Sequence, residues 1–461
     1  MAIALDSGVP DGNQSGMFAG QPLWSAFSRR ADADPGGHGA RSGDLAETAR
    51  VPPSPASPDG GAERPWPPEH RLAADAGDGD NSANHISGFH ARLVKESFAV
   101  IEPRGLEAME HFYAWLFVRH PEIRAMFPLA MSEHRERVLG ALARIVWSMD
   151  SPAALDSYLR QLGRDHRKFA VKDKHYEAFF GAFLDTVRHF SGDAWTADTE
   201  AAWQAALGYT ARIMRAAAAA DAEHAPAWWL GEIVQHDLRR PDLAVLTIRP
   251  DQPLRYRPGQ YLAVQVARWP RVWRNFSIAN APRANGLLDL HVRAIPGGMV
   301  SAALVHHSLP GDTLLLGPAR GEMTLSADCE RDLLCIAGGT GLAPIKALIE
   351  GAIGAAGPAR QQKIALYLGA RRADDLYDMQ ALALLEVSYP LLTVVPAVSG
   401  DPDWAGRTGL LPDVVRQHAA CEGREVFISG PGSMVTEAVR MLARRVSGAH
   451  IHHDPVDAAT A

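Results

Sequence analysis

The chain contains little cysteine, no long apolar run and no excess of basic residues. Its 461 residues include three cysteines, Cys329, Cys335 and Cys421, which cannot all pair and show no metal-ligand spacing. No segment approaches the roughly 20 apolar residues that cross a bilayer, and the N-terminus lacks the pattern of a secretion signal. The net charge of −7, without basic clusters, disfavours a nucleic-acid partner. We therefore expect a cytoplasmic protein without a membrane span.

Residues 1–86 are rich in glycine, proline, serine, alanine and aspartate and have no regular apolar spacing. Such a segment buries too little apolar surface to offset the entropy lost on ordering. We predict a disordered low-complexity tail there, followed by three ordered domains at 87–223, 228–327 and 330–455.

The first of these domains has the apolar spacing of helices and little glycine or proline. Leu155, Leu159 and Leu162 form one apolar stripe, and His166 continues it. We predict an all-α domain of six to eight helices. A histidine at the end of such a stripe is more often a packed core residue than a metal ligand, so the stripe alone leaves both interpretations open.

Two further patterns follow the helical region. Apolar and polar residues alternate from Leu230 onward, as at 244–249 and 262–266, which predicts the short antiparallel strands of a β-barrel. After Arg331, apolar strands alternate with helical segments, and repeated β–α units of this size predict an α/β domain with a doubly wound parallel sheet. The fold is therefore predicted to be multidomain.

Glycine-rich turns in both regions are candidate phosphate sites. The run 338–341 lies between an apolar strand and a helix, where backbone N–H groups and the positive helix end can face a phosphate. The turn at 297–298 precedes a second helix in the same way, and the strand 274–277 offers a guanidinium, an aromatic ring and a hydroxyl. A single glycine turn can also be only a tight connection.

Five motifs in a fixed order resemble the ferredoxin-NADP reductase family of flavoproteins over residues 228–455. They lie at 257–261, 274–277, 297–301, 339–344 and 429–431. The resemblance implies that FAD is bound by Tyr261, Arg274, Asn275, Phe276, Ser277, Gly298, Met299, Val300 and Ser301. It implies that NADH or NADPH is bound by Gly339, Thr340, Gly341, Leu342, Ala343, Pro344, Ser429, Gly430 and Pro431.

The chain departs from that family at two of these positions. Phe276 stands where the family usually has tyrosine, so ring stacking is kept and a hydroxyl hydrogen bond of about 1 kcal/mol is lost. Ser429 stands where cysteine is frequent, so the geometry beside the nicotinamide is expected to differ. Arg371 and Arg372 either contact a ribose 2′-phosphate, which would favour NADPH, or are ordinary surface residues.

The helical region resembles the globin domain of bacterial flavohaemoglobins, a family in which a globin precedes a flavin reductase. The matching residues are His111, Phe112, Tyr113, 120–127, 166–172, Tyr176 and Trp203. The resemblance implies haem b, with His166 as the proximal iron ligand and Phe127 against the porphyrin. It places Tyr113 on the distal side as a hydrogen-bond donor to O₂, and Tyr176 where it could orient His166.

Other positions depart from the flavohaemoglobin pattern. His134 stands where glutamine is common and could act as a second distal donor or a gate. Ala220 replaces an expected glutamate, so the imidazole of His166 would be less polarised. Val456 replaces an aromatic residue that covers the flavin, which makes His453 and Asp454 candidates for a different contact between flavin and haem. Without His166, Tyr113 and Phe127 would be interpreted as ordinary aromatic core.

The two resemblances together imply an oxidoreductase, an NAD(P)H-dependent nitric oxide dioxygenase with O₂ and nitric oxide as substrates. Electrons would pass from the nicotinamide through FAD to the haem, which converts nitric oxide to nitrate. Two alternatives stay open: a haem sensor of O₂ or nitric oxide whose iron is slowly reduced by the flavin, and a flavin reductase for an external acceptor. A monomer is favoured.

Overall fold

A computed structural model describes residues 86–326, 328–355 and 362–454. Nearly all of the predicted tail lies outside this range. The helical region has six α-helices, joined in places by short 3₁₀ turns, in agreement with the prediction. They are α1 (Gly88–Ile101), α2 (Gly105–Arg119), α3 (Ser132–Trp147), α4 (Pro152–His166), α5 (Asp173–Ser191) and α6 (Ala197–Ala222).

Helix α4 is held by its apolar stripe and by a close approach to α6. Leu155, Leu159 and Leu162 are all buried, as their spacing predicts. A Cβ on Gly163 would lie 2.2 Å from the backbone oxygen of Met214 in α6, so only glycine permits this helix crossing. This crossing fixes the last turn of α4, which carries His166.

The second region is a six-stranded antiparallel sheet. The strands are β1 (Trp229–Arg240), β2 (Leu243–Pro250), β3 (Tyr261–Val266), β4 (Arg274–Ser277), β5 (Leu288–Arg293) and β6 (Thr313–Leu316), and α7 (Met299–His306) follows β5. Their order is β4-β3-β6-β1-β2-β5. A single bridge from Ile278 to Leu290 joins the two edges, which makes the sheet a near-barrel, as predicted.

The third region is a parallel sheet between helices, again as predicted. Its strands are β7 (Leu333–Gly338), β8 (Ile364–Ala370), β9 (Leu392–Val398), β10 (Arg407–Thr408), β11 (Glu425–Ser429) and β12 (Ile451–His452). Its helices are α8 (Leu342–Ala355), α9 (Met379–Ser388), α10 (Leu411–His418) and α11 (Gly432–Leu442). The strand order is β10-β9-β8-β7-β11-β12, so the order reverses between β7 and β11. In such sheets ligands bind at this switch point.

A buried histidine links the near-barrel to the α/β region. His291 in β5 places its Nδ1 2.9 Å from the hydroxyl of Tyr377, which precedes α9. Burial lowers the pKa of His291 to about 3. The folded protein therefore holds this ring neutral, whereas an unfolded chain would protonate it near its ordinary pKa of about 6.5.

We expect a His291→Asn variant to lose part of the acid sensitivity of the fold. In the wild type, His291 contributes nothing to acid sensitivity above pH 6.5. Below that it destabilises the fold by about 1.4 kcal/mol per pH unit down to pH 3, because the unfolded state then binds one more proton. Asparagine can still bond Tyr377 and does not titrate. Urea unfolding followed by circular dichroism, at several pH values from 4 to 7, should give a free energy of unfolding that falls less steeply with decreasing pH in the variant. Equal slopes for the two proteins would contradict this prediction.

Candidate functional site

His166 lies at the end of α4 with only 1% of its surface exposed. Its Nδ1 lies 2.6 Å from the carbonyl oxygen of Leu162, one helical turn earlier. Since a carbonyl can only accept, Nδ1 carries the proton and donates it, which leaves a lone pair on Nε2. That Nε2 is buried and has no hydrogen-bond partner. Burial lowers the pKa of His166 to about 3, so the ring is neutral.

This arrangement fits a haem ligand. A buried polar atom without a partner costs free energy unless another group satisfies it, and a neutral imidazole nitrogen is a common iron ligand. An apolar cavity opens beside α4, between α3, α5 and α6, and His166 is not among its lining residues. Its lining includes Leu142, Ile145, Leu162, Phe179, Phe180 and Met214. His134 Nδ1 and His291 Nε2 are likewise buried without a hydrogen-bond partner, so the assignment of His166 as the iron ligand stays a prediction.

Three residues predicted to surround the haem lie together in the structure. The Tyr113 hydroxyl is 2.9 Å from Nε2 of His134, and the Phe127 ring is 5.5 Å from the Tyr113 ring and 5.3 Å from the His134 ring. Burial lowers the pKa of His134 to about 2 and raises that of Tyr113 well above its usual range. Both side chains are therefore uncharged hydrogen-bonding groups, and either can donate to the other.

Two further predictions concern the proximal side. Tyr176 is buried in α5, and burial raises its pKa to about 12. The hydrogen bond that the structure gives to the His166 ring comes from the Leu162 carbonyl, so an orienting role for Tyr176 stays a prediction. Ala220 is exposed on α6, and the nearby carboxylate of Asp221 pairs with Arg167. The carboxylate of Asp221 therefore pairs with Arg167, the residue after His166, and not with the His166 ring.

The predicted FAD residues of the near-barrel lie on two paired strands. Tyr261 opposes Ser277, and Ala263 and Val264 oppose Asn275 and Arg274. Phe276 packs half-buried against the barrel core. Because side chains alternate along a strand, Arg274 and Phe276 share one face of β4 and Asn275 and Ser277 the other, so their joint binding of FAD stays a prediction.

The predicted phosphate turn of the near-barrel precedes α7. Gly297 has a φ of +75°, and a Cβ on Gly298 would lie 2.4 Å from the hydroxyl oxygen of Ser301. Gly298 is the N-cap of α7, so Met299, Val300 and Ser301 form the first turn of the helix. Val300 and Ser301 are buried. The turn can present the free N–H groups of a helix start to an anion.

The two predicted nicotinamide motifs meet at the switch point of the parallel sheet. A Cβ on Gly341 would lie 2.3 Å from the backbone oxygen of Ser429 and 2.6 Å from the nitrogen of Gly430. Pro431 likewise lies against Gly338. Thr340, Leu342, Ala343 and Pro344 continue the turn from Gly339 into the start of α8. Gly341 and Ser429, which are 88 positions apart in the sequence, thus form one backbone cradle.

Ion pairs between the helical region and the near-barrel were not predicted. Arg274 Nη2, expected on the FAD phosphates, lies 2.8 Å from a carboxylate oxygen of Glu133, next to His134. Arg320 Nε lies 3.4 Å from a carboxylate oxygen of Asp165, next to His166. Both pairs join residues more than 100 positions apart, and a single sequence has no local signal for them.

The structure describes His453 and Asp454, the two candidates for a contact between flavin and haem. Asp454 and Tyr261 both lie close to Gly321. A Cβ placed on Gly321 would be 3.4 Å from Asp454 Oδ1 and 3.1 Å from the Tyr261 ring. His453 Nδ1 lies 2.8 Å from the Asp454 carbonyl oxygen. Asp454 therefore does lie beside the predicted flavin strand. Val456 lies outside the described residues.

Family models match the three regions separately. A globin model matches residues 110–214, an oxidoreductase FAD-binding domain matches 231–324, and an oxidoreductase NAD-binding domain matches 335–440. These matches agree with the order expected from the sequence. The matched ranges contain His166, the strand 274–277 and the Gly341 turn.

The relatives cover different shares of the chain. The xylene/toluene monooxygenase electron transfer component of Pseudomonas putida is 31% identical over 207 residues, which are 44% of this chain and 58% of that protein. A flavohemoprotein of Bordetella pertussis is 28% identical over 281 residues, 56% of this chain and 69% of that protein. The structure of a flavohemoglobin from Malassezia yamatoensis aligns with a TM-score of 0.66 at 16% identity, over 80% of this chain and 99% of that one.

Proposed function

We propose that the chain, a globin fused to an FAD- and NAD-binding reductase, is an NAD(P)H-dependent nitric oxide dioxygenase. Its domains follow one another in the order found in flavohaemoglobins. Its substrates would be O₂ and nitric oxide, and its product nitrate. The observation that carries the proposal is the buried, unpartnered Nε2 of His166, with the donor pair of Tyr113 and His134 in the same domain.

Haem bound at His166 would supply O₂ binding and one-electron chemistry, and FAD would divide the hydride of NAD(P)H into single electrons. The residues of the chain hold and shield these groups. Leu162 fixes the tautomer of His166 and so keeps Nε2 free for iron. The uncharged Tyr113 and His134 can donate hydrogen bonds to a polar diatomic ligand without bringing a charge into the apolar pocket. The Gly341 cradle would hold the nucleotide pyrophosphate.

The proposal is tested by following NADH and NADPH oxidation by the haem- and FAD-loaded protein in air, with and without nitric oxide. We expect oxidation to accelerate when nitric oxide is added, with nitrate formed in proportion to the nitric oxide consumed. A rate that does not change on addition of nitric oxide would contradict the proposal.

A second candidate, a flavin reductase for an external acceptor, is favoured by one observation. The relative at 31% identity is an electron transfer component of an oxygenase system, and its match to this chain covers 207 residues. For this candidate, a soluble acceptor such as cytochrome c or a ferredoxin should be reduced by NADH at the same rate before and after haem removal.

The described part of the chain has no helix with the length and apolar character needed to cross a membrane.

A further inference from the structure

An aromatic pair joins the end of the proximal helix to the start of the predicted flavin strand. Phe169 lies in the 3₁₀ turn that directly follows α4, and Trp273 is the residue before β4. Their ring centroids are 6.4 Å apart with the planes at 90°, an edge-to-face contact. The Phe169 ring is in turn 6.2 Å from the His166 ring at 78°. Three rings therefore connect the predicted iron ligand to the flavin strand.

A lysine closes one side of this pair. Lys168 Nζ lies 5.4 Å from the centroid of Phe169 and 5.6 Å from that of Trp273, within cation–π range of both rings. Only 8% of the surface of Trp273 is exposed, although it is a large residue at the boundary between two regions. Trp273 is therefore packed at this contact, while Phe169 and Lys168 are half-buried.

Ion pairs flank the aromatic contact. Arg274, next to Trp273, pairs with Glu133 at 2.8 Å, and Arg320 pairs with Asp165 at 3.4 Å. The pair of Arg274 and Glu133 is partly exposed, as at the polar rim of a protein interface, whereas the pair of Arg320 and Asp165 is mostly buried. Here both partners belong to one chain, so the contact sets the position of the flavin strand relative to the proximal helix.

We propose that the contact between Trp273 and Phe169 positions FAD for electron transfer to the proximal side of the haem. The proposal rests on the proposed binding of haem and FAD. Trp273 and Phe169 are positioning residues: they hold the two cofactor sites together and exclude water between them. In the step itself one electron leaves reduced FAD and is gained by ferric haem. NAD(P)H is the reductant, and no atom or proton needs to cross the junction.

Two leucine variants test the proposal in the haem- and FAD-loaded protein. Trp273→Leu and Phe169→Leu are mixed with NADH without oxygen, and the flavin and haem bands are followed separately. We expect flavin reduction close to the wild-type rate and haem reduction slowed several-fold, because the packed contact that holds the flavin strand against the proximal helix is lost. Trp273→Phe keeps a ring and should restore most of the rate. Trp147→Leu, an exposed tryptophan of α3, is the matched control.

A second readout does not depend on electron transfer. Lys168 is labelled with an acylating reagent and quantified by mass spectrometry. We expect it to be protected in the wild type and labelled several-fold faster in Trp273→Leu, while the exposed Lys174 is labelled equally in both. If a leucine variant loses its haem or does not fold, the proposal is still tested by the rate of haem reduction in Trp273→Phe and by the labelling of Lys168 in the wild type.

The outcomes separate this proposal from the proposed function. Haem reduction at the wild-type rate in both leucine variants would overturn it, and so would ready labelling of Lys168 in the wild type. A different result would contradict the proposed function and leave the packing of the contact intact. In that result the wild-type flavin is reduced, the wild-type haem is not, and Lys168 stays protected from labelling.

Discussion

A His166→Ala variant is expected to be purified without haem and without a Soret band, while its FAD content stays at the wild-type level. The alanine methyl group has no lone pair, so it removes the buried nitrogen that the structure leaves free for iron. The Leu162 carbonyl also loses the hydrogen bond from the ring, at a cost of about 1 kcal/mol. The lost hydrogen bond lowers the stability of α4 locally. The near-barrel and the parallel sheet do not contain this bond, so we expect them to stay folded.

His189→Ala is the matched control, because His189 is an exposed histidine of α5 in the same domain. It should keep the full Soret absorbance. Added imidazole should restore part of the haem binding to His166→Ala, since the free base can occupy the vacated space and supply the missing nitrogen. A His166→Ala protein with normal haem content and an unchanged spectrum would show that another residue binds the iron.

A Gly341→Ala variant is expected to lose reduction of the flavin by NADH and NADPH. The added methyl group would lie 2.3 Å from the oxygen and 2.4 Å from the carbonyl carbon of Ser429, both of which are backbone atoms of the next strand. The cradle would have to open, at a cost of about 1–3 kcal/mol. A displacement of about 1 Å could slow hydride transfer by roughly 100-fold. Stopped-flow measurement of the flavin band gives the rate.

Gly354→Ala serves as the control for this substitution. Gly354 lies in α8, the helix that begins next to Gly341, and a Cβ there would meet no atom within 4 Å. This variant should reduce its flavin at the wild-type rate and gain up to about 1 kcal/mol of stability, because alanine favours helix over glycine. Equal rates for the two variants would mean that the close contact between Gly341 and Ser429 is not part of the nucleotide site.

Much of the fold follows from short-range pattern. The spacing of Leu155, Leu159 and Leu162 predicted both the helix and the inward position of His166, because one helix face repeats every three to four residues. The strand at 333–337 and the turn after it predicted that Gly341 would lie at the carboxyl end of a parallel strand. The strand at 425–428 does the same for Ser429, and the adjacency of the two strands then brings the motifs together.

Other features depend on contacts that no local pattern encodes. The two-residue strands β10 and β12 are too short to show a period. The hydrogen-bond partner of His166 is a backbone carbonyl, which every residue has, so no side-chain pattern in the sequence identifies it. The contact of Trp273 with Phe169 joins positions 104 apart across two regions, and either ring by itself is an ordinary aromatic residue.

The account is tested most directly by mixing the wild-type protein, loaded with haem and FAD, with NADH or NADPH in the absence of oxygen. The flavin and haem bands are recorded separately after mixing. The account predicts that the flavin absorbance falls first and that the ferric haem spectrum then changes to the ferrous one at a rate set by the flavin. A flavin that is fully reduced beside haem that stays ferric until dithionite is added would contradict it.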